Sequence, residues 1–178
     1  MIRQSLTLLA VASTLTFGLA APASAVVTQF STTLTNTLEP DPTSPGTGTA
    51  LVTLDSSLNT VTVHLSFAGL SANASAGHIH CCTAFAGAGS SGVAVGFTDF
   101  PAAMAGTYDK VFTLAPASFT TVSTGIMAGK AYVNLHNAAY GGGAIRGFLA
   151  PVPEPTTYAL MLAGLGLIGW AAKRRQSA

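Results

Sequence analysis

Residues 61–67 read VTVHLSF, and the apolar side chains at 61, 63, 65 and 67 alternate with Thr62, His64 and Ser66. Successive side chains of a β-strand point to opposite faces, so a period of two residues is the pattern of a half-buried strand. The apolar stretch at 51–54 precedes it across Asp55-Ser56-Ser57, residues that favour a turn. The two stretches predict an antiparallel hairpin.

Further stretches rich in threonine, valine and aromatic residues also predict strands. They lie at residues 26–35, 77–81, 93–97, 108–114, 131–136 and 144–149, and segments rich in proline and glycine separate them. One helix is predicted between Pro116 and Met127, where Phe119, Val122 and Ile126 recur at helical spacing. Short strands at regular intervals are typical of all-β proteins, so we predict an antiparallel β-sandwich or barrel.

The composition excludes several classes of protein. The 178 residues are 49% hydrophobic and 7% charged, with a formal net charge of +1, whereas soluble domains carry about a quarter charged residues. A nucleic-acid-binding protein with a basic face and a charge-rich disordered chain are both excluded. We therefore predict no nucleic-acid partner.

The first 25 residues have the three-part pattern of a secretory signal peptide. Arg3 precedes an apolar stretch at 6–20, and small residues close the segment at Ala23-Ser24-Ala25. Cleavage by signal peptidase after Ala25 is predicted. A first transmembrane helix is the alternative, but hydroxyl residues interrupt the apolar run and the closing Ala-Ser-Ala fits cleavage better.

The segment 151–178 has a different pattern, in which Val152-Pro153-Glu154-Pro155 precedes an uncharged run at 156–172 and the basic tail Lys173-Arg174-Arg175. At the helical rise, a run of that length spans about 25 Å, enough to cross a thin bilayer. The basic tail would stay cytoplasmic and leave the preceding residues outside. We therefore predict a transmembrane helix at 156–172; a buried core helix rarely ends in a basic cluster.

Motif, apolar helix and basic tail, in that order, resemble the PEP-CTERM sorting signal of Gram-negative bacteria. The resemblance implies that an exosortase, a membrane protease, reads the segment and cuts near the motif. It further implies export, transient anchoring in the membrane, and transfer to the cell surface or to extracellular polysaccharide.

The remaining residues, 26–150, are predicted to form one β domain, and its densest chemical cluster is His78-Ile79-His80. On a strand, His78 and His80 point to one face and Ile79 to the other. His136 offers a third imidazole on another predicted strand, and His64 a fourth. Histidines that converge on a sheet are a candidate copper or zinc site. The alternative is that they only form hydrogen bonds that hold turns in place, and no other cofactor is predicted.

Cys81 and Cys82 directly follow this cluster and are the only cysteines of the chain. In an oxidising exterior they pair with each other, pair with another chain, or stay free. We predict a vicinal disulfide that ends the strand just after His80. Thiolate ligation of a soft metal beside the histidines is the alternative.

The stretches 77–80, 131–136 and 142–147 together resemble the CHRD domain, which is named from chordin and is common in bacterial exported proteins. The resemblance spans residues 26–149 and implies a β-sandwich or barrel of immunoglobulin-like character without an established catalytic activity. Ala144 stands where the family usually has an acidic residue, which removes a partner for Arg146. The His-x-His strand is also similar to one short motif of copper–zinc superoxide dismutase, whose other ligand pattern is missing.

No catalytic motif appears in the sequence: a nucleophile elbow, a phosphate loop and a paired carboxylate motif are all missing. We therefore expect a non-enzymatic surface or matrix protein that contacts exopolysaccharide or neighbouring proteins, with Phe85, Tyr132 and Tyr140 stacking on sugar rings. The alternative function is a copper- or zinc-binding or redox module that uses His78, His80 and His136.

Overall fold

The computed structural model describes residues 27–153 and 155–176, so the predicted signal peptide at 1–25 and Glu154 lie outside the described residues. In chain order the elements are β1 Val27–Leu34, β2 Thr47–Asp55, β3 Thr60–Ala68, β4 Ala74–Cys81, β5 Val93–Gly96, β6 Gly106–Thr113, α1 Pro116–Met127, β7 Ala131–Asn137, β8 Ile145–Phe148, β9 Ala150–Pro151 and α2 Pro155–Gln176.

The described strands form two antiparallel sheets. The first sheet has the order β6-β3-β2-β1-β9, and the second has the order β5-β4-β7-β8. Their inner faces pack on each other, and the core consists of fully buried apolar side chains such as Phe30, Val52 and Val63 on one side and Ile79 and Leu135 on the other. The predicted all-β antiparallel sandwich is confirmed.

The alternation seen at 61–67 explains how the first sheet is oriented. Val61, Val63, Leu65 and Phe67 are all buried, while the intervening His64 and Ser66 are exposed. These four apolar residues of β3 therefore lie on the face that packs in the core, and the polar residues lie on the opposite face. The helix α1 links β6 of the first sheet to β7 of the second and packs Phe119, Val122 and Ile126 against the core.

A seam joins the two sheets along one side. Thr35 and Arg146 exchange two backbone hydrogen bonds, of 3.1 and 2.9 Å. The chain then continues from β8 into β9, which pairs with β1 of the first sheet. Gly147 lies at the seam, where any side chain would overlap the carbonyl oxygen of Thr33. The absence of a side chain at position 147 therefore lets the sheets approach each other.

The disulfide between Cys81 and Cys82 lies where β4 ends. A cis peptide bond joins the two residues. Their sulfur atoms lie against α1, 3.9 and 3.6 Å from the carbonyl oxygen of Thr121. A Cβ atom on Gly125 would overlap both sulfurs, so a glycine at this helical position makes room for the disulfide.

The helix α2 contains the uncharged run at 156–172, which agrees with the predicted helical conformation. Among the residues that the structure describes, no helix combines the length and the apolarity that crossing a membrane requires. The membrane-spanning role of residues 156–172 stays a prediction.

We predict that Gly125→Ala destabilises the protein, because the added methyl group overlaps the disulfide sulfurs. Overpacking of this kind costs about 1–3 kcal/mol, and the better helix propensity of alanine offsets about 1 kcal/mol of that cost. Chemical denaturation measures the change in the free energy of unfolding.

Gly92→Ala is the matched control, because a Cβ atom at Gly92 meets no atom within 4 Å. In a Cys81→Ala, Cys82→Ala background the sulfurs are gone, and Gly125→Ala should become neutral or stabilising. An equal loss of stability in both backgrounds would show that the disulfide is not what requires the glycine.

Candidate metal centre

The strands β4 and β7 bring the three histidines to one face of the second sheet. In the antiparallel register, His78 pairs with Asn134 and His80 pairs with Tyr132. Ile79 and Leu135 are fully buried in the core, so the residues next to them in sequence point away from it. His78, His80 and His136 therefore share the outer face, as the alternation within each strand predicts.

The three imidazole rings converge on one place. One ring nitrogen from each of His78, His80 and His136 lies within 4.8 Å of the other two. The ring centroid of His78 lies 5.5 Å from that of His80 and 5.1 Å from that of His136. The ring centroids of His80 and His136 are 6.2 Å apart.

The convergence depends on the direction in which two of the side chains lean. The register partner of His80 is Tyr132, four residues before His136, which corresponds to about 13 Å along a strand. Their ring centroids are much closer than that, so both side chains lean inward over the middle of the site. A register shift between β4 and β5 falls between Ile79 and His80, and such bulges redirect a neighbouring side chain.

Backbone carbonyls accept a hydrogen bond from each of two rings. His80 Nδ1 lies 2.9 Å from the carbonyl oxygen of Ser91, and His136 Nδ1 lies 3.0 Å from that of Gly141. A carbonyl oxygen only accepts, so each Nδ1 carries a proton, and in the neutral ring the lone pair is on Nε2. This second hydrogen bond is the usual support of a histidine that binds a metal.

One nitrogen of each ring has no hydrogen-bond partner. His78 Nδ1, His80 Nε2 and His136 Nε2 are buried without a hydrogen-bond partner in the structure. Burial lowers the pKa of His78, with the neighbouring His136 and His80 adding to the effect. Burial also lowers the pKa of His80, opposed by its hydrogen bond to Ser91. Both rings are therefore kept in the neutral form that binds metal ions.

An aromatic contact positions the ring of His80. Tyr132 stacks on it with ring centroids 4.8 Å apart and an interplanar angle of 2°. The hydroxyl of Tyr132 accepts a hydrogen bond of 3.3 Å from the backbone N–H of Ser91, the residue whose carbonyl also binds His80. Stacking and the two hydrogen bonds to Ser91 thus fix the His80 ring between Tyr132 and the loop at 82–92.

Arg146 ties the surrounding loops to β8. Its guanidinium lies over the Tyr132 ring, 5.1 Å from the centroid, and donates to the carbonyl oxygen of Leu38 and to Ser90 Oγ at 3.2 Å. The fully buried carboxyl group of Glu39 lies 3.7 Å from Arg146 Nε. Burial raises the pKa of Glu39 to about 7, although the positive charge of Arg146 acts in the opposite direction.

The structure corrects three expectations. His64 is not a fourth imidazole of the cluster, because it lies on β3 of the first sheet beside Asp109. Thiolate ligation does not fit, because Cys81 is disulfide-bonded and shares the core side of β4 with Ile79. Tyr132 is 2% exposed and packs on His80, so it is not available to stack on a sugar.

Sequence reasoning missed two groups that shape the site. Asn134 is buried on the outer face of β7, and its place two residues before His136 was the available signal. Glu39 supplies the carboxyl group beside Arg146 that Ala144 does not provide. No local pattern connects Glu39 with Arg146, since they meet only when the fold is complete.

We predict that Glu39→Gln changes how stability depends on pH. The pKa of Glu39 in the folded state, about 7, lies above its ordinary value of 4.5. The stability that the protonated carboxyl contributes is therefore complete below pH 4.5 and is lost as the pH rises through 7. Relative to the wild type, the variant should gain about 1 kcal/mol of unfolding free energy between pH 6 and pH 8.

Denaturation at a series of pH values measures this difference. Asp41→Asn removes an exposed carboxylate from the same loop and is the control; its difference from the wild type should stay within about 0.5 kcal/mol. A pH-independent difference between Glu39→Gln and the wild type would contradict the raised pKa of Glu39.

Comparison with protein-family models gives two matches. The CHRD domain matches residues 30–149, from β1 to the end of β8 and including all three clustered histidines. The PEP-CTERM protein-sorting motif matches residues 151–175. Neither a curated protein nor a solved structure matches the chain.

The sorting motif implies an exported protein that an exosortase processes and that is sorted to the cell surface. The CHRD match covers more than half of the chain. The chain therefore belongs to the CHRD domain family and carries a C-terminal PEP-CTERM sorting motif.

Proposed function

We propose that this exported protein binds a divalent transition metal ion, copper or zinc, through His78, His80 and His136, without catalysing a reaction. The observation that carries the proposal is the set of three buried ring nitrogens without hydrogen-bond partners, one from each histidine. One nitrogen from each ring lies within 4.8 Å of the other two.

Hydrogen bonding alone accounts for only one nitrogen of His80 and one of His136, because each carbonyl partner binds Nδ1. A buried polar atom without a partner costs about 1–3 kcal/mol, so purely structural histidines would leave that cost at each Nε2. A single ion satisfies all three nitrogens together. Zinc binds imidazole nitrogen at about 2.0–2.1 Å, so binding would draw the three nitrogens inward by rotation of the side chains.

The donor types favour copper or zinc. Imidazole suits both metals, whereas magnesium and calcium prefer oxygen ligands. The candidate metal cluster found among the described residues consists of three histidines and contains no carboxylate or thiolate.

The two ends of the chain supply the location in this proposal. Signal peptidase removes residues 1–25, and the helix at 156–172 anchors the protein in the membrane until an exosortase cuts near the motif. The sandwich with its metal site then remains at the surface or in the extracellular matrix. The matched sorting motif and the helical conformation of residues 156–172 support this sequence of events.

We predict that the full chain, purified without a histidine tag, binds one Zn²⁺ or Cu²⁺ ion, and that His80→Ala weakens binding at least about 10–100-fold. Metal analysis after equilibrium dialysis gives the stoichiometry, and titration against a chelator gives the affinity. His64→Ala is the matched control, because His64 lies on the other sheet and its loss should leave the affinity unchanged. A wild-type protein that retains no ion, or equal affinities for His80→Ala and the wild type, would refute the proposal.

We also propose that the sorted protein contacts exopolysaccharide through the outer face of the first sheet. An open groove of about 610 Å³ crosses that face. One row across four paired strands consists entirely of hydroxyl side chains, namely Thr33, Thr49, Ser66 and Thr107. Hydroxyl groups both donate and accept hydrogen bonds, which matches the hydroxyls of sugars. Phe85, 73% exposed elsewhere on the surface, offers a ring for stacking.

We predict that the combined variant Thr33→Val, Thr49→Val, Thr107→Val reduces retardation in gels that contain the producing cell's exopolysaccharide by at least about threefold, because each lost hydrogen bond is worth about 0.5–1.5 kcal/mol. Valine keeps the shape of the side chain and the preference for strands. Thr53→Val, Thr62→Val changes the same sheet outside the groove and is the control. No retardation of the wild type, or equal retardation of the groove variant, would contradict this role.

A further inference from the structure

The inference concerns Asn134, which lies in the middle of the outer face of the second sheet. Along β7 it stands between Tyr132 and His136 on that face. Across the sheet its register partners are His78 on β4 and Arg146 on β8. Asn134 is 2% exposed, and its side-chain oxygen Oδ1 is buried without a hydrogen-bond partner.

The polar neighbours of Asn134 do not bind its side-chain oxygen. Arg146, beside it on β8, donates through its two terminal nitrogens to Leu38 and to Ser90, and its Nε lies 3.7 Å from the Glu39 carboxyl group without a hydrogen-bond partner. His80 and His136 donate through Nδ1 to the carbonyls of Ser91 and Gly141. The amide oxygen thus has no hydrogen-bond partner, like one nitrogen of each of the three rings.

The position of Asn134 relative to the rings is set by the register. His80 and His136 lean toward each other over the part of the sheet where His78 and Asn134 form a cross-strand pair. The Cβ atoms of directly opposite residues lie about 4.5–5.5 Å apart. An amide side chain at position 134 is therefore in reach of an ion held by His78, His80 and His136.

We propose that the Asn134 side-chain oxygen is the fourth protein donor to the metal ion and makes the site select divalent ions over Cu⁺. This inference rests on the proposed metal-binding function and deepens it. An amide oxygen is a hard donor that suits divalent ions, whereas Cu⁺ prefers soft ligands. One ion bound by three ring nitrogens and this oxygen would give a partner to four of the buried polar atoms that lack one, namely His78 Nδ1, His80 Nε2, His136 Nε2 and Asn134 Oδ1.

The test compares Zn²⁺ and Cu⁺ affinities, measured with each metal alone against a chelator, in full-length wild type, Asn134→Leu and Asn134→Asp. Asn134→Leu removes the oxygen with little change in size and should weaken Zn²⁺ binding at least about tenfold, while Cu⁺ binding changes by less than about threefold. Asn134→Asp retains the oxygen, adds a negative charge, and should tighten Zn²⁺ binding by about tenfold or more. The ratio of the two affinities reports selectivity, which a merely structural asparagine would not change.

The outcomes separate this inference from the function on which it rests. A wild type that binds no metal overturns the metal-binding function and, with it, the role of Asn134. A wild type that binds one ion, together with Zn²⁺ affinities of both variants within about twofold of it, overturns the role of Asn134 alone and leaves its oxygen to a bound water. If Asn134→Leu does not fold, the isosteric Asn134→Asp decides, because an unchanged Zn²⁺ affinity there contradicts direct ligation. In a His80→Ala background the effects of both variants should differ from those in the wild type, as expected for residues that act through one ion.

Discussion

The antiparallel register between β4 and β7 is the constraint on which the candidate site depends. It buries Ile79 and Leu135 in the core and thereby turns His78, His80 and His136 to the opposite face. A shift of one residue would bring the histidines into the core and the aliphatic side chains out of it. Along β4 and β7, residues that point into the core alternate with residues that point to the outer face. The burial of the apolar residues therefore also fixes the positions of the histidines on the outer face.

Contacts from the surrounding loops fix the orientation of the histidine rings. Carbonyl groups of the loops bind the outer nitrogens of His80 and His136, and Tyr132 stacks on His80. Arg146 connects those loops to β8, with the carboxyl group of Glu39 beside it. The strand β7 is mostly buried on both faces, and ring nitrogens on this outer sheet face are accordingly buried without hydrogen-bond partners.

Local patterns predicted the strands well, because alternation and the preference of threonine and valine for strands act over a few residues. The helix at Pro116–Met127 was also predicted from local spacing. Membership of a sheet is different: His64 and His78 stand in similar alternating stretches, yet they lie on different sheets because long-range packing decides which strands pair. Leu38 and Arg146, 108 residues apart, meet only in the folded chain, so no local signal reveals the loops that complete the site.

Anomalous X-ray scattering from crystals of the zinc-loaded protein tests the central claim most directly, because it locates the ion without assuming its ligands. The account predicts one strong peak at the zinc edge, with His78, His80 and His136 nitrogens at about 2.0–2.1 Å. A peak at another position, such as the His64 and Asp109 pair, or no ordered peak on the second sheet, would contradict it.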